Sequence, residues 1–239
     1  MELEAVVVRY AGSALLEWHA HAEASVSVVL AGSIEEQVGS RTGLGRIGSV
    51  VAKPAGLEHC NRVAAEGATL LAIKGKEAAE IASRGWCWTS SHRSAIAGLQ
   101  LARSLRAGFA PDAEPLIDLL SFADEAGQRP STRRRLAWLD DIRSRLDRQN
   151  APPVSRLAEL ADVHPVYLAR AFRQQFDCSI RDYRRRARVR RAANLFASSD
   201  LPIAAIAASL DYFDQSHLCR DFRTELAVSP ADYRAILRS

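Results

Sequence analysis

The chain has 239 residues, 48% of them apolar and 25% charged, the balance of one or two globular domains and not of a disordered or fibrous chain. No apolar run approaches the roughly 20 residues of a membrane span. The net charge of +4 divides unevenly: residues 1–128 hold 11 Lys and Arg against 15 Asp and Glu, while residues 129–239 hold 21 Arg, no Lys and 13 Asp and Glu. A basic half beside an acidic half points to a polyanion partner for the basic one.

Met1 to Tyr10 alternates Glu and Val and lacks the basic opening and apolar block of an export signal. Residues 1–75 read as short strands, Glu4 to Tyr10 and Val26 to Leu30 among them, punctuated by Gly12, Gly32, Gly39, Gly43, Gly45, Gly48 and Gly56. That spacing suggests a small β-sandwich or barrel. Residues 77–83 read as a helix or connector, and Trp86-Cys87-Trp88 as an apolar seal on the β-unit. From Ser94 the period becomes helical: Ile96, Leu99, Leu101 and Leu105, then Leu116, Ile117, Leu119, Leu120 and Ala123, outline two amphipathic helices. They are candidates for a dimer contact or for packing on the barrel. Gly127 to Ser131 reads as a linker. The four cysteines, Cys60, Cys87, Cys178 and Cys219, show no C-x-x-C spacing, so free thiols in a reducing, cytoplasmic compartment are expected.

The C-terminal part repeats itself. Leu168, Arg170, Phe172, Arg173, Ser179, Asp182, Tyr183 and Arg184 recur 50 residues later as Leu218, Arg220, Phe222, Arg223, Ser229, Asp232, Tyr233 and Arg234. Upstream of the turn the better offset is 49, matching Leu157, Ala158 and Ala161 to Ile206, Ala207 and Leu210. The second copy therefore carries one extra residue in its turn. Two copies of one helix–turn–helix unit are expected, with Asp162 and Asp211 in the left-handed turn position.

In the second helix of each copy, Leu168, Phe172 and Phe176, and then Leu218, Phe222 and Leu226, fall on a core face. The outer stripes are Val166, Ala169, Arg170 and Arg173 in the first copy, and Ser216, Cys219, Arg220 and Arg223 with Gln215 and His217 in the second. Small side chains for close approach and forked donors for base edges suit a DNA-reading helix. Between the copies, Ser179 to Ser198 reads as a rigid connecting helix. Its arginines have two uses, gripping phosphates or pairing with Asp140, Asp141 and Asp147.

Leu157 to Tyr183, and above all Asp214 to Arg223 followed by Ser229-Pro230-Ala231-Asp232-Tyr233-Arg234, resemble the AraC/XylS family over roughly residues 133–237. Asp211 stands where the family has Gly, and Phe213 where it has a small residue. The resemblance implies a sequence-specific transcription regulator, not an enzyme, acting on double-stranded DNA and with RNA polymerase as a partner. In the N-terminal half His19-Ala20-His21 followed by Gly32, and Gly48, Pro54, Gly56, His59 and Asn61, resemble the two cupin motifs. The usual carboxylate position holds Ser25, with Glu23 displaced by two. The cupin resemblance implies that His19, His21 and His59 share a site for a divalent metal, Zn, Fe or Ni. The alternative is a barrel whose histidines only hydrogen-bond.

The expected fold class is α+β: an N-terminal cupin-like β-barrel (1–85) serving as a sensing domain for a small-molecule effector or metal, a helical connector with a possible homodimer contact (86–130), and an all-α double helix-turn-helix domain (131–239). A cupin metalloenzyme fused to a DNA-binding module is the competing reading. No Ser-His-Asp array or phosphate-cradling Gly motif supports another enzyme.

Overall fold

The computed structural model describes residues 4–128 and 136–238. Seven antiparallel strands come first: β1 (Glu4–Tyr10), β2 (Leu15–His19), β3 (Ser25–Val38), β4 (Arg41–Arg46), β5 (Ser49–Lys53), β6 (His59–Lys74) and β7 (Cys87–Ser90). Helix α1 (Lys76–Ala82) precedes β7. Nine more follow: α2 (His92–Arg106), α3 (Ala113–Gln128), α4 (Ala137–Leu146), α5 (Val154–Leu160), α6 (Pro165–Phe176), α7 (Ile180–Ser198), α8 (Ile203–Ser209), α9 (Gln215–Leu226) and α10 (Pro230–Leu237). Of the expected linker, Gly127 and Gln128 end α3 and the rest lies outside the described residues. No described helix is long and apolar enough to cross a membrane.

The two long strands organise the sheet, because each changes partner along its length. The first part of β3 pairs with β5 and the last part of β6, which also carries β1; the second part of β3 pairs with β4 and the first part of β6, which also carries β2. Bulges at Val29/Ala31 and Gly32/Ile34 mark the change, and a bulge bends a strand. Bending covers β3 on both faces. Val26, Val28 and Leu30 point into a core shared with α1 and α2, whereas Val29 joins Ile34, Val63, Ala68 and Leu70 in a second, smaller interior. This is why Ser25 to Leu30 is buried throughout.

The expected barrel does not close: among the described residues the pairing runs as an open path from β1 to β7, with no ladder joining its ends. The β7 end has only four residues, and α3 packs beside it. The first amphipathic helix, α2, spends its apolar face on the sheet, with Gly98 close against Val28 and Leu30.

Two cores divide the helices. Leu139, Ile142 and Leu146 of α4, Leu157 of α5, Leu168 and Phe172 of α6, and Ile180 at the start of α7 form a separate cluster. Val189, Ala193 and Phe196 of α7, Ile206, Leu218, Phe222, Tyr233 and Ile236 instead continue the core of the sheet. Helix α7 thus begins in one core and ends in the other. Tyr233 is fully buried, edge-on to Phe222, and its hydroxyl donates to the Leu30 carbonyl at 2.8 Å, tying α10 to β3. Asn194 adds a polar tie: the Gly32 N–H donates to its side-chain oxygen at 3.2 Å, and its amide donates to Glu66 at 3.2 Å.

Candidate nucleic-acid interface and histidine cluster

The repeat in the sequence is a repeat of local physics. Asp162 and Asp211 both sit at positive φ, 50° and 58°, ending α5 and α8. The longer helices α6 and α9 then begin at capped ends. The His164 ring accepts from the Val166 N–H with Pro165 at the first turn, and the Asp214 carboxylate accepts from the His217 N–H at 2.7 Å. Both end in a left-handed residue, Asp177 and Ala227. The next helices open on the same cap: the hydroxyls of Ser179 and Ser229 accept from the N–H of Asp182 and Asp232, each at 3.1 Å. Those Ser–Asp contacts hold both carboxyls below the usual carboxylate range.

On α6, Val166, Ala169, Arg170 and Arg173 are all exposed while Leu168 and Phe172 are buried. On α9, Gln215, Ser216, Arg220 and Arg223 are exposed, and Cys219 is half-buried. Gln215, Ser216, Cys219, Arg220 and Arg223 line one open groove together with Thr224. His217 is not part of that groove's lining: its ring stands edge-on to Tyr212, and its Nε2 lies 3.8 Å from Asp221.

The arginines of α7 from Arg184 to Arg191 meet partners inside the protein, whereas Arg181 at the start of the helix is exposed. Asp147, at the end of α4, receives Arg190 at 2.8 Å, Arg46 of β4 at 2.6 Å and the Tyr183 hydroxyl at 2.9 Å, and its carbonyl accepts from Arg191. Burial opposes ionisation of Asp147, but Arg190 and Arg46 outweigh it and hold its pKa low. Burial also pushes the Tyr183 phenol up to about 12. Glu225, buried near the end of α9, takes Arg185 at 2.6 Å, with Arg186 and His92 each at 3.4 Å. Arg184 donates to the Pro152 carbonyl, and Arg188 lies over the Tyr212 ring. Of the expected partners Asp147 takes these arginines, while Asp140 and Asp141 pair with Arg143 and Arg145 of their own helix.

The three histidines of the N-terminal half do come together. Ring centroids lie 4.3 Å apart for His19 and His59, 5.0 Å for His19 and His21, and 5.1 Å for His21 and His59. One nitrogen from each lies within 4.8 Å of the others. Strand pairing sets His19 opposite His59, and the Gly56 N–H ties the loop before β6 to the His21 carbonyl. The Nδ1 of His19 faces the Glu17 carbonyl at 2.7 Å, and that of His59 faces the Leu57 carbonyl at 2.9 Å. A carbonyl only accepts, so Nδ1 carries the proton, and in the neutral ring the lone pair lies on Nε2. The Nε2 of His59 is buried and has no hydrogen-bond partner. Burial, with Lys53 adding to it, holds His21 and His59 below the usual histidine pKa, although the Leu57 carbonyl works against this at His59.

The carboxylate beside this cluster is Glu36, which the motif spacing did not indicate. It is 1% exposed, with Oε1 3.7 Å from His59 Nε2. Lys53 reaches it at 3.1 Å, Asn61 donates at 3.4 Å, and the indoles of Trp86 and Trp88 donate at 2.7 and 3.0 Å. Burial disfavours its charge, yet Lys53 and Trp86 more than compensate and its pKa is low. Trp88 reaches it because Gly43 and Gly45 leave β4 bare; a Cβ at either would overlap the indole. Strand alternation was the available signal, since Ile34 and Glu36 share the buried face while Glu35 points out. Ser25 is buried on β3, and Glu23 pairs with Lys74, so neither stands in as a ligand.

Residues 157–236 match the family model described as a helix-turn-helix domain. An arabinose operon regulatory protein from Escherichia coli K12 is 28% identical over 82 residues, 34% of this chain and 28% of that protein. An uncharacterised helix-turn-helix-type transcriptional regulator from Haemophilus influenzae is 31% identical over 86 residues, 36% of this chain and 29% of that protein. A second such regulator, from Escherichia coli K12, is 27% identical over 103 residues, 42% of this chain and 36% of that protein. The chain thus spans about a third of the length of the curated relatives it matches. Among solved structures, the C-terminal domain of AraT, a response regulator from Geobacillus stearothermophilus, aligns with 29% identity and a TM-score of 0.36 over 41% of this chain and 81% of that one. ToxT from Vibrio cholerae aligns with 11% identity and a TM-score of 0.43 over 99% of this chain and 98% of that one.

Proposed function

We propose that this chain, whose C-terminal part is a helix-turn-helix domain of the AraC type, is a sequence-specific transcription regulator that reads promoter DNA with two helices, α6 and α9. The observation that carries this reading is the duplicate surface: two helices, each opened by a side-chain cap and closed by a left-handed residue, each burying its Leu/Phe stripe and exposing an Arg-bearing one. An arginine fork matches the two acceptors of guanine in the major groove, a pairing worth about 1–3 kcal/mol against the wrong base. Selecting bound sites from a random DNA pool tests it. Arg170→Ala and Arg220→Ala are each expected to lose about that energy and to flatten preference at separate base pairs, as read by repeating the selection. Unchanged preferences in both variants would refute the assignment of these stripes to bases.

In this reading residues 131–239 bind DNA, 1–85 sense an effector and 86–130 connect the two. RNA polymerase is the partner on the promoter, and a second copy of the chain is a further partner. The histidine cluster supports a metal as effector: the Nδ1 atoms of His19 and His59 are engaged by backbone carbonyls, and the buried Nε2 of His59 makes no hydrogen bond, with Glu36 3.7 Å away. Three imidazoles and a water would satisfy a tetrahedral divalent ion such as zinc, with iron or nickel as alternatives. The metal would supply a fixed positive charge cross-linking β2 to β6 beside Glu36. Ligands must be neutral to bind. Because the pKa values of His21 and His59 are lowered, the folded chain keeps these rings neutral below the ordinary pKa of about 6.5. Metal occupancy is therefore expected to persist at pH 6.5 and to fall at lower pH, as followed by elemental analysis after desalting at stepped pH. Loss already complete above pH 6.5, or equal metal in His19→Ala/His59→Ala, would exclude the site.

A further inference from the structure

The two reading units are built alike, and the structure shows where they differ. After the left-handed Asp162 and Asp211, the next amide returns to the helix behind it: Val163 N–H to the Ala158 carbonyl and Tyr212 N–H to the Ala207 carbonyl, both at 3.0 Å. His164 then caps α6 at once, whereas Asp214 caps α9 one residue later. The residue gained is Phe213. Both its neighbours are pinned, Tyr212 by burial at 5% exposure and Asp214 by its cap bond to the His217 N–H. The ring between them is 93% exposed, the highest value among the large apolar side chains described.

An isolated surface apolar residue usually calls for no explanation. This one is held at the entrance of the helix whose Gln215, Ser216 and Arg220 line the groove assigned to DNA. The N-terminal end of a reading helix is the part that meets base edges. A phenyl ring gains nothing from phosphate oxygens. The apolar feature of the major-groove edge is the 5-methyl group of thymine.

We propose that Phe213 is a specificity residue of the second reading unit, its ring packing on a thymine 5-methyl group. The inference rests on the DNA-reading function above and deepens it. The first unit lacks the residue, so the two units read unlike half-sites and the preferred site has a direction.

The test uses the full chain and its selected DNA site. Each thymine is replaced singly by deoxyuridine, which keeps the base pair and the O4 acceptor and removes only the methyl. One replacement in the half-site of the second unit is expected to weaken wild-type binding about fourfold, the ~0.8 kcal/mol of one apolar carbon leaving water. Phe213→Ser should bind that site with similarly reduced affinity and be indifferent to the same replacement. Phe213→Leu should keep the dependence. Melting temperatures of both variants should match wild type, since so exposed a ring supports no packing. Sequence-selective binding with every replacement neutral would overturn this inference and leave the DNA reading standing. Equal methyl dependence in wild type and Phe213→Ser would also overturn it. A Phe213→Ser chain that binds DNA as wild type but alters transcription would place the ring against a protein instead, and absence of any DNA binding would remove both readings.

Discussion

Raising salt from about 50 to about 200 mM is expected to weaken binding of the full chain to its selected site by roughly 10²-fold. Each phosphate neutralised on duplex DNA contributes about −0.9 to the slope of log affinity against log salt. Two phosphates at each reading helix, four in all, set a slope near −3.6. Arg173 and Arg223, one turn beyond Arg170 and Arg220 and equally exposed, are the natural members of this set. Arg184, Arg185 and Arg190 of α7 contribute little while the Pro152 carbonyl, Glu225 and Asp147 hold them. Fluorescence anisotropy across a salt series reads the slope. A flat response ends the DNA reading, and a slope twice as steep would show that α7 releases its internal partners to grip the backbone.

Replacing Tyr233 by Ala is expected to cost about 3–5 kcal/mol, the range for removing a large aromatic from a core. The ring is fully buried against Phe222, and its hydroxyl is bonded to Leu30 in the sheet. The loss should not stay in the last helix. Because α7, α9 and α10 share the core of β3 and α2, hydrogen exchange in β3, β6 and α9 should accelerate together. Leu168→Ala, also at a fully buried position, should cost about 2–5 kcal/mol but act on the other core. There exchange should rise in α4 to α6 while β3 stays protected. Equal acceleration of both regions by Leu168→Ala would show that the two cores unfold as one. The shared packing ties α9 and α10 to the sheet, with α7 as the element that spans both cores.

Much of the surface proposed to read DNA was legible in the chain. The Leu/Phe stripes and the Arg stripes fall out of helical spacing, and a repeat with two offsets already announces one extra residue. Which residue it is required the backbone: the amide returns of Val163 and Tyr212 and the caps at His164 and Asp214 isolate Phe213. In the N-terminal half the motif spacing named His19, His21 and His59, and folding brought them within reach of one ion. It did not name Glu36, because the groups that hold its charge, Lys53 and Trp86, come from elsewhere in the chain, Trp86 from 50 residues away. The closed barrel expected from those motifs is an open, bent sheet, because motif spacing reports which residues face one another and carries no information about the outer edges.

By itself, then, the sequence determined what depends on a few neighbouring positions: helix faces, the two-copy repeat and the left-handed Asp turns. These follow from side-chain geometry over one or two turns of backbone. Only the tertiary structure decided which apolar faces meet. The apolar side of α7 looks the same whether it packs on helices alone or on a sheet. The choice was made by contacts such as Tyr233 to Leu30, 203 residues apart, and Gly32 to Asn194, 162 residues apart. Shape complementarity across such separations is a property of two assembled surfaces, and neither surface exists until β3 and β6 have bent and α7 has joined the two cores.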